Sequence, residues 1–506
     1  MKVRVKAVDR FERDFRLRLP FRFGVITVTH GTQAILRVRV ELEDGRSSEG
    51  VAAEALAAKW FEKSPQFTDA QNLDQLRQAL DLAIGHYSEQ GFQTPFGLYA
   101  GAYRQQIERG GAFGLNPLVA SYGPALLDRA ILDALGKATG QSFARMIAAN
   151  VPGIAATDLT PDIEAEHLKS FLAGLKMAPT IDVRHTVGLV DPLTAADRPA
   201  AERVNDGLPE ILEEVVAYYS GRYYKLKVGG DIRTDLDRLS RIASVLDKGA
   251  KDYRCTFDGN EQYDDVDGIV ELWRKVEETP ALARMVKSTL FIEQPIKRQS
   301  ALSRPVTALA KYRPVIIDES DGELSTFPEA LKLGYAGVST KNCKGFYKSI
   351  LNAARCAHWN AVERTPQRYF LSGEDLTCQA GVAVQQDLSL VALLGLGHVE
   401  RNGHHYVRGL AHCSPAERAA LAYVDALVLT TAVSDAVFDA LRPHYRGFAV
   451  TSPFKRAVAR AVGSSLPSVN TLWRTRNGWR ADNTDVDGAR FRLPAEYLRV
   501  ESPSAE

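Results

Sequence analysis

Five charged residues follow one another through the middle of this chain, each at the end of a short β-rich run. They are Lys227, Asp258, Glu293, Asp318 and Lys341, and successive members lie 31, 35, 25 and 23 residues apart. Each separation is close to the length of one strand–helix unit, and the chemistry of parallel α/β proteins lies at the carboxyl ends of their strands. We therefore expect these five side chains to lie close together, at the end of the protein where the parallel strands finish.

Three of these residues, Asp258, Glu293 and Asp318, supply carboxylates. A purely oxygen donor set suits a hard divalent cation, and Mg²⁺ keeps coordination positions open for water or substrate. Three crowded carboxylates without a cation would repel one another strongly. The pattern thus predicts a magnesium site, and the alternative is that each carboxylate simply caps the helix after its strand.

Lysines flank the three carboxylates. Lys225 and Lys227 stand two apart on one strand and face the same side. A neighbouring ammonium and partial burial both disfavour the charged form of Lys227, which favours a neutral amine base. Lys341 comes from a strand on the other side of the expected metal. Two lysines on opposite sides of a bound carbon acid could take a proton from one face and return it on the other, or one lysine could act as the base while the other serves as a cation. The alternative is that all three are solvated surface lysines.

This combination predicts removal of the proton on the carbon next to a carboxylate. That proton is very weakly acidic, and a metal on the carboxylate neutralises the charge that develops there. Cycloisomerisation, β-elimination of water and racemisation share this first step, so a lyase or isomerase acting on a carboxylic acid is expected. A non-catalytic binding protein that retains the same pocket is the alternative.

The pattern of β-rich and helical segments along the chain predicts the elements that hold these residues. From about residue 180 to residue 412, short β-rich runs alternate with helical patterns, which predicts a parallel α/β architecture closed into a barrel. The first 55 residues are strand-rich, and residues 35–42 alternate before a turn at 43–45. Helices are expected in 68–85, with Thr68 or Asp69 as cap, and in 124–140.

Composition narrows the class of protein. The chain has 506 residues and a formal net charge of +1, which gives no electrostatic case for nucleic acid or an anionic membrane. No apolar run reaches the roughly 18 residues of a membrane span, and the first residues lack the apolar core of a signal peptide. Five scattered cysteines without a CxxC pair argue against a disulfide framework or a zinc site, and favour the cytoplasm.

Together the strand-end motifs resemble the enolase superfamily, most closely its muconate-lactonizing branch. The motifs are YKLKVGG (224–230), FDGN (257–260), FIEQP (291–295), IIDES (316–320) and STKNCKG (339–345). The resemblance implies an α+β capping domain over 1–155, with LPFRFG (19–24) and GVAAEA (50–55) as its loops. It further implies a modified (β/α)7β TIM-type barrel over 175–412, a homo-oligomer, and Mg²⁺.

By the same resemblance each site residue acquires a role. Lys227 and Lys341 are the acid/base pair, and Lys225 assists them. The metal ligands are Asp258, Glu293 and Asp318. Asn260 supports them, and Glu374 is a polar substrate-binding residue at the end of the seventh strand.

Some features depart from this pattern. Residues 57–119 are interpreted as a divergent insertion beside the capping loops. The eighth-strand region lacks the DxD of dipeptide epimerases, which argues against that activity. His404 and His405, in the same region, are expected at the surface or in a turn.

A different family is indicated near the C-terminus. The motifs FAVTSPFKRAVARA (448–461), SVNTLW (468–473) and DNTDVDG (482–488) resemble the substrate-binding domain of shikimate dehydrogenase. The resemblance implies a small, partial α/β segment over 420–500 in which Lys455 is catalytic, with Asp485 as its partner. Ring hydroxyls would be held by Thr451, Asn470 and Asn483.

The role of this segment has several interpretations. A Gly-rich nucleotide loop is not evident, which argues against hydride transfer by this chain alone. The segment is then a relic, a binding module or part of a longer fusion, and a shikimate-type dehydrogenase fragment is the alternative function. If both parts serve one pathway, the barrel substrate is a cyclic hydroxy acid.

Overall fold

The computed structural model describes residues 1–24, 26–411 and 413, and the backbone of 447–449, 471–475 and 478–482. The chain forms two compact units. One comprises Met1–Ala138 and Met146–His412, and the other Thr139–Arg145 and Cys413–Glu506. The predicted domain boundaries, including the insertion at 57–119, stay predictions.

A three-stranded antiparallel sheet opens the first unit. Its strands are β1 (Val3–Phe23), β2 (Ile26–Leu42) and β3 (Ser47–Ala55), in the order β1-β2-β3. The alternation predicted for 35–42 is real, because Leu36, Val38 and Val40 are all fully buried on one face. Gly45 ends the β2–β3 turn at φ +85°, a conformation that glycine adopts without strain.

Helices follow the sheet. They are α1 (Ala58–Phe61), α2 (Asp69–Ser88), α3 (Pro95–Ala112), α4 (Pro117–Thr139), α5 (Phe143–Ala148) and α6 (Ala165–Gly174). Thr68 caps α2 through a reciprocal capping box with Gln71, as predicted. The helix predicted from residue 124 begins earlier, at Pro117, so that Pro124 lies inside it.

Eight parallel strands then close into a barrel, which confirms the predicted fold class. They are β4 (Asp182–Val187), β5 (Tyr223–Lys227), β6 (Arg254–Asp258), β7 (Thr289–Glu293), β8 (Val315–Ile317), β9 (Gly337–Thr340), β10 (Phe370–Gly373) and β11 (His398–Arg401). In strand order β11 returns to β4, so the barrel has no open edge.

The outer layer of the barrel is helical. Its helices are α7 (Leu212–Tyr219), α8 (Ile232–Gly249), α9 (Val266–Glu278), α10 (Ala283–Ser288), α11 (Arg298–Ala301), α12 (Thr307–Ala310), α13 (Thr326–Lys332), α14 (Phe346–Glu363), α15 (Val382–Leu393) and α16 (Gly403–Tyr406). Apolar faces such as Leu239, Ile242 and Leu246 of α8 bury against the strands. Among the helices in the described ranges, none is long and apolar enough to cross a bilayer.

In the second unit the described residues from 447 to 482 form a small antiparallel sheet. Its strands are β12 (Gly447–Ala449), β13 (Thr471–Thr475) and β14 (Gly478–Asp482), in that order. Thr475 pairs with Gly478 at the end of a hairpin.

Candidate active site

The carboxyl ends of the barrel strands carry the five charged residues. Lys227, Asp258 and Glu293 are the last residues of β5, β6 and β7, and Asp318 and Lys341 directly follow β8 and β9. Lys227 pairs in register with Asp258, and Asp258 with Glu293, so the three lie at one level. All five are at most 5% exposed. The lysines are therefore not solvated surface residues.

Lys225 is the centre of the charge network. Its Nζ lies 2.5 Å from Glu374 Oε2, 2.8 Å from Glu293 Oε2, 2.9 Å from Asp258 Oδ2 and 3.0 Å from Glu400 Oε2. Burial alone would lower the pKa of Lys225, but these carboxylates raise it well above the ordinary value. This direction of the pKa shift favours the charged ammonium form of Lys225.

The other two lysines each pair with one predicted metal ligand. Lys227 Nζ donates to Asp258 Oδ2 at 2.5 Å, and Lys341 donates to Asp318. Burial lowers the pKa of Lys341, yet the Asp318 carboxylate outweighs it and the net shift is upward. Lys341 Nζ also lies 4.6 Å from the centre of the Trp60 ring.

Glu293 is the least compensated of the predicted ligands. Burial, together with the nearby charges of Asp258 and Glu374, raises the pKa of Glu293 well above its ordinary value, despite the opposing effect of Lys225. Asp318 behaves in the opposite way: burial would raise its pKa, but Lys341 and Lys344 bring it below the ordinary range. An added cation near Glu293 would therefore be stabilising.

The donors fit a magnesium ion in type. Asp258, Glu293 and Asp318 offer carboxylate oxygens, and the buried Asn260 Oδ1 has no hydrogen-bond partner. Over the described ranges, however, no three His, Cys, Asp or Glu side chains are grouped so that they could hold a metal. The carboxylates point instead to lysine ammonium groups, so the metal site stays a prediction.

Two further predicted residues surround this centre. The Asn260 amide donates to Asp258 Oδ1 at 2.9 Å, and its side chain donates to Glu319 at 3.2 Å, so Asn260 orients two carboxylates. Glu374 is ion-paired with Arg184 and Lys225. Since Glu374 is fully buried, this placement favours a role in holding Lys225 over direct contact with a substrate.

Two residues that line the cavity near this centre, Glu400 and Asp375, were not predicted. Glu400, on β11, bonds Lys225 and accepts hydrogen bonds from Thr186 at 2.6 Å and Asn402 at 3.1 Å. Asp375, which follows β10 and Glu374, accepts the Asn402 amide at 2.9 Å. The sequence could have indicated both residues, because each lies near the carboxyl end of a barrel strand, as the five charged residues do.

The expectation for His405 was wrong. His405 is 3% exposed, and its carbonyl accepts a hydrogen bond from Arg18 at 3.2 Å. His404 Nε2 lies 2.9 Å from His185 Nδ1 on β4. The segment is buried because β1 crosses it, with a bridge between Leu17 and Val407.

A cavity of about 270 Å³ opens above the charged centre. Lys225, Lys227, Asp258, Asn260, Lys341, Asp375 and Glu400 line it from the barrel. The β1–β2 hairpin and residues 55–60 line it from the first sheet and α1. The two segments predicted as capping loops instead lie largely in strands β1 and β3. They contribute Phe21, Phe23 and Ala55 to the same cavity as the two predicted acid/base lysines.

Five residues predicted near the C-terminus cannot be placed. Thr451, Lys455, Asn470, Asn483 and Asp485 lie outside the described residues. Their roles stay predictions.

Comparison with solved structures shows the fold. An enolase from Bradyrhizobium, complexed with magnesium and mandelic acid, has a TM-score of 0.53 at 15% identity, covering 79% of this chain and 88% of that chain. Muconate lactonizing enzyme from Pseudomonas fluorescens, complexed with muconolactone, has a TM-score of 0.52 at 18% identity, covering 78% and 87%. A dipeptide epimerase from Enterococcus faecalis has a TM-score of 0.51 at 14% identity, covering 81% and 92%. The predicted resemblance to the enolase superfamily is confirmed at the level of the fold.

Sequence comparison gives a separate result. No family model matches the chain. A shikimate dehydrogenase (NADP(+)) from Microcystis aeruginosa is 48% identical over 62 residues, which make up 10% of this chain and 20% of that protein. The chain therefore matches only about one fifth of the length of this curated relative.

Proposed function

We propose that the barrel is a magnesium-dependent lyase or isomerase that removes the proton next to a carboxylate. One observation carries the proposal: Lys227 and Lys341, from strands β5 and β9 that are not neighbours, line one cavity with Asp258. A carbon acid between two such lysines would meet an amine on either side. Solved proteins of the same fold include a cycloisomerase-type lactonizing enzyme and an epimerase.

Each residue of the centre has a distinct task in this proposal. Lys227 and Lys341 take up and return the proton, and Lys225 supplies a fixed positive charge where an enolate would form. Asp258, Glu293 and Asp318 would hold Mg²⁺, which supplies charge neutralisation at the substrate carboxylate. For Lys227 to act as a base, its contact with Asp258 has to be relieved, and a cation bound by Asp258 would do this.

Solvent-deuterium incorporation tests the proposal. The protein is incubated in D₂O with Mg²⁺ and a panel of carboxylic acids, with and without EDTA, and exchange is followed by NMR. Metal-dependent exchange into any acid is the expected result, and the acid that exchanges separates racemisation, elimination and cycloisomerisation by its product. Absence of exchange together with undetectable Mg²⁺ binding in calorimetry would instead favour the non-catalytic alternative.

The cyclic hydroxy acid remains a specific version of this proposal. Quinate, shikimate and dehydroshikimate belong in the panel because of the shikimate dehydrogenase match. Absence of exchange with all three would remove this version while leaving the general reaction in place.

A second candidate concerns the C-terminal segment alone. The 48% identity to a shikimate dehydrogenase favours binding of a ring hydroxy acid there. Calorimetric titration of the full chain with shikimate should show binding that Lys455→Ala weakens and Lys227→Ala leaves intact. Loss of binding in Lys227→Ala, with Lys455→Ala unaffected, would assign the ligand to the barrel instead.

A further inference from the structure

The cavity above the charged centre has two unlike ends. Its barrel end presents Lys225, Lys227, Asp258 and Lys341. Its opposite end, which we call the apolar end, is formed by Phe15, Phe21, Val28, Leu56, Trp60 and Leu73. A ligand that fills the cavity must therefore be charged at one end only.

Four charged or polar side chains near the apolar end, those of Thr29, His30, Thr32 and Lys59, already have partners. Lys59 pairs with Asp69 at 3.4 Å and donates to the carbonyl of Phe67 at 3.0 Å. Thr29 Oγ1 lies 3.0 Å from His30 Nδ1, and Thr32 donates to Asp14 at 2.8 Å. A second carboxylate or several hydroxyl groups placed here would lose water without gaining equivalent partners.

Trp60 marks the boundary between the two ends. One face of its ring receives Lys341 Nζ at 4.6 Å, and the ring lies edge-to-face with Phe61 at 4.9 Å. Trp60 is only 4% exposed, so its position is fixed before any ligand arrives. The ring can thus present an apolar surface beside the ammonium group.

The backbone of Trp60 is anchored to the barrel. Arg298 donates to the carbonyl of Trp60 at 2.9 Å and to that of Phe61 at 2.7 Å. The same guanidinium makes two 2.8 Å bonds to Glu261, which also pairs with Lys63 at 2.6 Å. Because these contacts use carbonyl oxygens, the Trp60 side chain remains available to a ligand.

We propose that the cavity takes a monocarboxylate whose other substituent is apolar, an aryl or branched alkyl group, and that Trp60 is the residue that selects it. The inference rests on the proposed function in placing the carboxylate at the lysine end. A volume of about 270 Å³ suits a small ligand, since ligand pockets range from roughly 300 to 1,000 Å³. The apolar end of the cavity disfavours a ring polyol as the barrel substrate.

Two acids that differ in one substituent test this inference. 2-Phenylpropanoate and lactate share the carboxylate, the α-proton and the methyl group, and differ only in phenyl against hydroxyl. Calorimetry on the full chain with Mg²⁺ should show 2-phenylpropanoate binding at least about tenfold more tightly. Trp60→Ala should weaken 2-phenylpropanoate by about tenfold and lactate by less than about twofold, and Trp60→Phe should retain most of the affinity. Trp359→Ala, on α14 outside the cavity lining, is the matched control and should change neither affinity.

Other outcomes overturn the inference. Equal affinities, tighter lactate binding, or no binding of either acid would show that the apolar end does not select the ligand. Equal weakening of both acids by Trp60→Ala, or weakening by Trp359→Ala, would reduce Trp60 to a structural residue. Trp60-dependent binding without deuterium exchange would leave this inference intact and count against the proposed function alone.

Discussion

Lys227 and Asp258 are register partners on adjacent barrel strands, and their side chains meet at 2.5 Å between Nζ and Oδ2. The same Asp258 oxygen lies 2.9 Å from Lys225. One carboxylate thus holds two lysines at the mouth of the barrel, and removing either lysine leaves the other to neutralise Asp258. This relationship makes it possible to change the proposed base without leaving a buried charge unpaired.

Replacement of Lys227 should therefore affect chemistry more than folding. Lys227→Ala is expected to reduce α-proton exchange by about 10²–10⁴-fold, the usual contribution of a general base. Circular dichroism and the urea midpoint should change little, because Lys225 still pairs with Asp258. Lys137→Ala removes an exposed lysine that pairs only with Asp133, and should exchange as the unaltered protein does. Comparable exchange in both variants would mean that Lys227 is not the base.

Glu293 should be needed for magnesium. Lys225 compensates its buried carboxylate only in part, which makes Glu293 the predicted ligand that gains most from a cation. Glu293→Gln keeps the shape and removes the charge, and should weaken Mg²⁺ binding by at least about tenfold in calorimetry. The control is Glu278→Gln, an exposed carboxylate on α9. An unaltered Mg²⁺ affinity in Glu293→Gln would exclude this residue as a ligand.

Arg298 should stabilise the segment that carries Trp60. Arg298→Ala removes the guanidinium bonds to Glu261 and to two backbone carbonyls, and leaves Glu261 with Lys63 and the backbone amide of residue 298. We expect the free energy of unfolding to fall by roughly 1–3 kcal/mol in urea titrations. Arg274→Ala breaks only exposed ion pairs on α9 and should cost less than about 0.5 kcal/mol. A similar loss in both variants would show that the anchor contributes no more than a surface pair.

The half-buried His404 and the buried His405 should make the fold sensitive to mild acid. Burial and neighbouring positive charges lower the pKa of His404 to about 4 and that of His405 to about 3. The unfolded chain binds protons near pH 6.5, where the folded chain does not, so stability is fully present above that pH and is lost as pH falls below it. Each histidine should cost about 1 kcal/mol between pH 7 and pH 5.5.

Urea titrations at these two pH values check the effect. The double variant His404→Asn, His405→Asn should lose about half or more of the pH dependence that the histidines cause, while His30→Asn, at an exposed position, should keep it all. An identical pH dependence in the double variant would show that other groups cause it.

The strand-end residues could be predicted because a repeat of strand and helix places them by spacing alone. Lys227, Asp258 and Glu293 needed only the period of the fold, and the structure puts them in register. Buried alternation in β2 and the Thr68 cap are likewise local properties of the sequence.

What could not be predicted depends on contacts between distant segments. Arg298 reaches Trp60 across 238 positions, and Arg184 reaches Glu374 across 190. His405 reads as a polar turn residue until β1 is seen to cross it. The fourfold pairing of Lys225 is also invisible in the sequence, since it requires β5, β6, β7, β10 and β11 to bring their side chains to one point.

The hydrogen bonds from Arg298 to main-chain oxygens affect which sequence changes this protein can accept. Any residue at position 60 offers the same carbonyl group, so its hydrogen bond to Arg298 does not depend on the side chain that stands there. Position 60 can therefore vary in size and polarity while the barrel and its lysines keep their geometry. Substrate selection at position 60 is then separate from proton transfer by the barrel lysines. Natural selection or protein design can change the first without changing the second.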